Sequence, residues 1–156
     1  MALIQPYIDY CASSWYEGTS KALKSRLDVL QRKMVRFTMG FSNRQHVGLP
    51  EFRSLSWLTI PDRIKYFKLI HLFKIKRGSA PRYMRSNFTS LSDVHMHNTR
   101  GSTSNFHMPV SMSRAPSSFA FSCVKEWNAI PNDIKSIDTL RSFKRELRKF
   151  LISSYG

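Results

Sequence analysis

The sequence predicts a mainly α fold, a bundle of about five to six helices with a loop-rich middle and a candidate short β-hairpin. Three observations carry this. Apolar residues recur at steps of three and four in several separate stretches, as one face of a helix requires. Ser, Thr, Pro and Gly stand at the ends of those stretches, where helix caps and stops belong. Residues 86–115 lose the period and turn rich in Ser, Thr, Asn and Gly, the composition of loop.

Pro6 can open a first helix, since its missing N–H would be unpaired in the first turn; that helix is expected to run to about Tyr16, with Gly18 as its stop. Thr19 or Ser20 then caps a second helix. In it Leu23, Leu27, Leu30, Met34 and Phe37 form one stripe, read as core-facing, and Gly40 suits the position after the last turn. Pro50 starts a short helix over 50–56. Ile60-Pro61-Asp62 opens a longer one to about Arg77, ended by Gly78. This helix is apolar nearly all round, so it is expected to be surrounded by protein, with its six Lys/Arg snorkelling to the edges. Between 86 and 115, Phe106, Met108, Val110 and Met112 alternate with polar residues or Pro109, which suggests an edge strand with Val94 and Met96 as hairpin partner. Helical spacing returns at Ser117 or Ser118, with Phe119, Ala120, Cys123, Val124 and Trp127 on one face until Ile130-Pro131. A last helix, capped by Asp138 or Thr139, aligns Leu140, Phe143, Leu147, Phe150 and Leu151. The expected segments are a helical 1–85, a polar loop or hairpin 86–115 and a helical 116–156, together one compact unit.

Charge says more than composition. The 156 residues carry 25 Lys/Arg and 10 Asp/Glu, a net +15, and residues 44–90 contribute more than half of the excess. No acid lies between Asp62 and Asp93, an interval with eight Lys/Arg. A charge run is usually a solvated face. Here Lys74, Lys76, Arg77, Arg82 and Arg85 have no local counter-charge, so a nucleic-acid backbone is the expected partner. The terminal helix adds Arg141, Lys144, Arg145, Arg148 and Lys149 on an amphipathic frame. No run approaches the ~20 apolar residues a bilayer crossing needs, and no membrane partner is expected. The opening residues do not resemble a secretory signal, so the sequon Asn87-Phe88-Thr89 reads as a chance match. Two cysteines, Cys11 and Cys123, are too few for a disulfide framework and are read as core.

Chemistry-bearing patterns are sparse. His95, His97 and His107 could share one surface, yet no cysteine pair joins them, and exposed histidines are the plainer reading. No G-x-S-x-G, phosphate-binding Gly-rich loop or HExxH occurs. Trp15, Trp57 and Trp127 could stack bases; each sits among apolar residues at helical spacing, which favours packing. Asn98-Thr99-Arg100 either touches phosphate or makes a local turn with Arg100 paired to a carboxylate. Neither metal nor cofactor is expected.

The motif residues, taken together, resemble a family. Pro6, Tyr10 and Trp15; Leu27, Leu30, Gln31 and Arg36; Asn98, Thr99 and Arg100; Trp127, Asn128 and Pro131; and Phe143, Lys144 and Leu147 follow an order and spacing similar to the C-terminal part of LINE-type, Jockey-like non-LTR retrotransposon reverse transcriptases. Ile130 stands where that pattern usually has Leu. The resemblance implies a thumb and post-palm region, thumb-like over 1–85, in which the absent polymerase palm would be a partner. The acidic pair that holds the polymerase's two metal ions is missing, since no two aspartates are adjacent. The expected function is therefore a non-catalytic, nucleic-acid-binding segment, holding RNA or an RNA–DNA duplex by phosphate through Lys74, Lys76, Arg77, Arg82, Arg85 and Arg100. The alternative is a degenerate helical remnant or protein-interaction module without nucleic-acid binding.

Overall fold

The computed structural model describes residues 4–94, 104–108 and 118–155. The protein is mainly α. Its helices are α1 (Gln5–Asp9), α2 (Ala12–Trp15), α3 (Lys21–Met39), α4 (Leu49–Ser54), α5 (Ile60–Lys76), α6 (Arg82–Arg85), α7 (Leu91–Val94), α8 (Phe119–Ala129), α9 (Asn132–Lys135) and α10 (Leu140–Ser153). They group into two compact units, residues 1–66 with 148–156, and residues 67–147. Helices α5 and α10 each contribute residues to both.

In the first unit, the expected helix from Pro6 to Tyr16 is two short ones. Cys11 takes a left-handed φ of 47° between them and is exposed, not core. Helix α3 has the expected ends: the Ser20 hydroxyl accepts from Leu23 N–H, and Gly40 sits in the left-handed region at φ 67°. Its buried side is not the expected one. Gln31 and Val35 are buried, Leu27 and Met34 pack at the edge of a cluster of Ile8, Ala12, Tyr16, Ile60 and Ile64, and Leu23, Leu30 and Phe37 are exposed. At about 100° per residue, Gln31 and Val35 point roughly 100° round the helix from the centre of the apolar stripe. Val35 joins Val47, Phe52 and Tyr155 in a second cluster, with Trp57 against it.

Polar groups fasten this unit. The Gln31 amide donates to Leu58 O (2.8 Å) and accepts from Ile60 N–H (2.9 Å), so it caps the first N–H of α5 from inside the core. Tyr155 OH donates to Asp62 Oδ2 (2.6 Å) and accepts from Thr59 N–H (2.9 Å). Burial, then the Asp62 hydrogen bond, pushes the phenol up to about 12. Arg63 closes a two-point ion pair on Asp9.

The second unit is built on an aromatic core. Phe73 stacks on Phe143 with ring centroids 4.3 Å apart, Trp127 lies 5.9 Å from Phe143, and Phe106 meets Trp127 edge-on. Leu69, Leu72, Cys123, Val124 and Leu147 are fully buried around them. Helix α8 is capped by the Ser118 hydroxyl, and Thr139 Oγ1 accepts from Ser142 N–H at the start of α10. Lys68 departs from expectation: it is buried rather than snorkelling. The hairpin is also corrected. Among the described residues the β pairing is an isolated antiparallel bridge between Ser90 and Phe106, and Val94 lies in α7. Hydrogen bonds from Leu91 N–H to Asn105 O and from His107 N–H to Thr89 O flank the bridge. The Asn128 side chain saturates both main-chain groups of Phe106, so a side-chain amide stands where a partner strand would be. Met96, Val110 and Met112 lie outside the described residues.

Candidate nucleic-acid interface

The basic run lies in the second unit, on the end of α5, the turn after it, and α6. Gly78, at φ 74°, terminates α5, and Pro81 directs the chain into α6. Five cationic residues thus fall within twelve positions, yet their environments divide them.

Arg77 is engaged within the unit. Its guanidinium donates to Ile137 O and Asp138 Oδ1, both at 2.7 Å, and lies over the Phe73 ring. Lys76 is half-buried. Its ammonium stands 5.4 Å from the Trp127 ring centre and 3.4 Å from Ser104 O. Burial, and then the charge of Arg77, lowers its pKa. Lys74 is half-buried, while Arg82 and Arg85 are exposed. None of Lys74, Lys76, Arg82 and Arg85 is ion-paired to a carboxylate among the described residues. Arg100 lies outside the described residues.

Sequence reasoning missed Lys135. This residue is buried, and its ammonium donates to Asn105 Oδ1 (2.8 Å) and Asn128 O (3.2 Å). Burial lowers its pKa, and the charge of Lys76 adds to the effect. Nothing local marks it: it stands on a four-residue helix nearly sixty positions from Lys76 in sequence. The two lysines raise a positive potential that neutral acceptors answer only in part.

Beside them opens a cleft of about 290 Å³ lined by Lys76, Arg85, Phe88, Ser90, Ser104 and Asn105. Two cationic side chains, hydroxyls and an aromatic ring suit an oxyanion on a flat organic group, the chemistry of a nucleotide. Trp127, by contrast, is core, its indole N–H donating to Ser104 O (2.8 Å).

Another cleft, of about 250 Å³ in the first unit, has Asp28, Arg32 and His46 among its lining. Burial raises the Asp28 carboxyl, and Arg32 opposes that rise. Among the described residues no three His, Cys, Asp or Glu side chains gather as metal ligands, and no helix is long and apolar enough to cross a membrane. No protein-family model, curated protein or solved structure matches the chain.

Proposed function

We propose that this protein binds the phosphate backbone of nucleic acid, RNA or an RNA–DNA duplex, without catalysis, as the segment after the palm of a LINE-type reverse transcriptase would. The binding reading is carried by one observation: Lys74, Lys76, Arg82 and Arg85 stand around one turn of chain with no described carboxylate neutralising them. The retrotransposon reading rests on the motif resemblance alone. Arg77 contributes less, since Asp138 already holds its guanidinium. Contacts of this kind position a strand and read no sequence.

Fluorescence anisotropy with a labelled single-stranded RNA over a salt series tests it. Three exposed or half-exposed cations, at about 0.7 in slope per phosphate on a single strand, predict that Lys74→Gln/Arg82→Gln/Arg85→Gln flattens the log K against log salt line by about 2. The same variant weakens every RNA sequence alike. Binding by the wild type with a slope that the triple change leaves untouched refutes the placement. Absence of binding by the wild type at low salt refutes the function.

A further inference from the structure

Three large apolar side chains of α3, Leu23, Leu30 and Phe37, stand outside the core and take no part in phosphate binding, yet their surroundings are built like a binding surface. Leu23, Leu30 and Phe37 are 50%, 38% and 89% exposed on a helix whose buried residues point elsewhere. Two clefts lie side by side along it. One, of about 370 Å³, is lined mainly by Trp15, Leu23, Leu27 and Leu30; the other, of about 350 Å³, by Val29 and Leu30 with Ser25. Arg26 lines both, Lys33 lines the second, and neither is ion-paired to a described carboxylate.

Leu30 and Arg26 line both clefts and form the wall between them. The apolar side chains of an amphipathic helix gather on one face at i, i+3, i+4 and i+7, close enough together to seat on both sides of such a wall. A second copy of this chain is disfavoured, because it would bring the same Arg26 and Lys33 on a molecule of net charge +15.

We propose that the α3 face from Leu23 to Lys33 is a docking groove for an amphipathic helix of another protein, whose apolar residues enter the two clefts and whose flanking carboxylates pair with Arg26 and Lys33. The groove and its charges are independent of the phosphate-binding reading and stand whether or not that reading does.

The probes are two labelled synthetic peptides, each about three heptads long with Leu at the apolar positions, one flanked by Glu and the other by Lys. Anisotropy on the intact chain is expected to show the Glu peptide binding at least ~10-fold tighter. Leu30→Asp should weaken it about 10-fold with an unchanged far-UV spectrum; Leu23→Asp serves if Leu30→Asp misfolds. Arg26→Glu/Lys33→Glu removes only part of the net charge and should reverse the preference toward the Lys peptide. A preference that survives this reversal assigns the effect to overall charge and overturns the groove. So does an Asp substitution without effect at both leucines. Sedimentation showing a dimer that Leu30→Asp abolishes gives the face to a second copy instead. Uptake by phosphatidylserine vesicles without peptide binding gives it to a membrane surface. Either result refutes the proposal.

Discussion

Replacing Gln31 by Leu keeps nearly the same volume and removes both polar atoms. Gln31 is 3% exposed, and its two partners, Leu58 O and Ile60 N–H, belong to buried residues. Each stranded main-chain group costs about 1–3 kcal/mol, while the Leu side chain recovers a little by its own burial, so a net loss of about 2–4 kcal/mol is expected. With an m-value of about 2 kcal/mol/M in urea, the midpoint should fall by about 1–2 M. Gln31→Glu sharpens the test. An ionised carboxylate can accept from Ile60 N–H but has no proton for Leu58 O, so the folded state favours the protonated acid and raises its pKa. The folded form then binds a proton more tightly than the unfolded one. This variant is therefore expected to approach the wild type at low pH and to lose stability as pH rises through the shifted pKa. Urea titrations followed by far-UV circular dichroism across pH 4 to 8 measure both effects. A Gln31→Leu midpoint within experimental error of the wild type, or a Gln31→Glu variant that weakens toward acid pH, would refute the reasoning.

Tyr155→Phe should cost about 1–3 kcal/mol by freeing Thr59 N–H and removing a donor from Asp62, read as a shift in urea midpoint. The wild-type phenol lies at about 12 when folded against about 10 unfolded, so its contribution is full below pH 10 and is lost as pH rises toward 12, by roughly 3 kcal/mol in all. The Phe variant should lack that alkaline loss. Trp127→Ala removes the centre of an aromatic core and should cost about 3–5 kcal/mol, whereas Phe37→Ser, at a residue 89% exposed, should stay within about 0.5 kcal/mol in the same assay. Primer extension by the purified chain with template, nucleotides and Mg²⁺ or Mn²⁺ should give no product, because the resemblance lacks the paired carboxylates that would hold the metals.

Helix ends were legible in the sequence because a cap is local. Ser20, Gly40, Gly78, Ser118 and Thr139 act on main-chain groups within four residues, and each stands at the helix boundary the structure has. Periodicity likewise identified the buried faces of α8 and α10, where Trp127, Phe143 and Leu147 are enclosed. It misdirected at α3. A regular apolar stripe says which side chains share a face; the other elements decide which way that face turns. Here they bury Gln31, because the chain at Leu58 and Ile60 offers a buried carbonyl and a buried N–H that an amide satisfies and a leucine does not. The motif residues Gln31, Trp127 and Asn128 accordingly serve as internal fasteners.

The charge run was equally visible in the sequence, but how its members divide was not. Which cations stay available depends on residues far along the chain: Asp138 for Arg77, Trp127 and Ser104 for Lys76. Composition sets the sign and size of the excess. Only tertiary contacts determine which charges are already answered, because an ion pair or a ring contact is a matter of a few ångströms in space and has no counterpart in sequence separation.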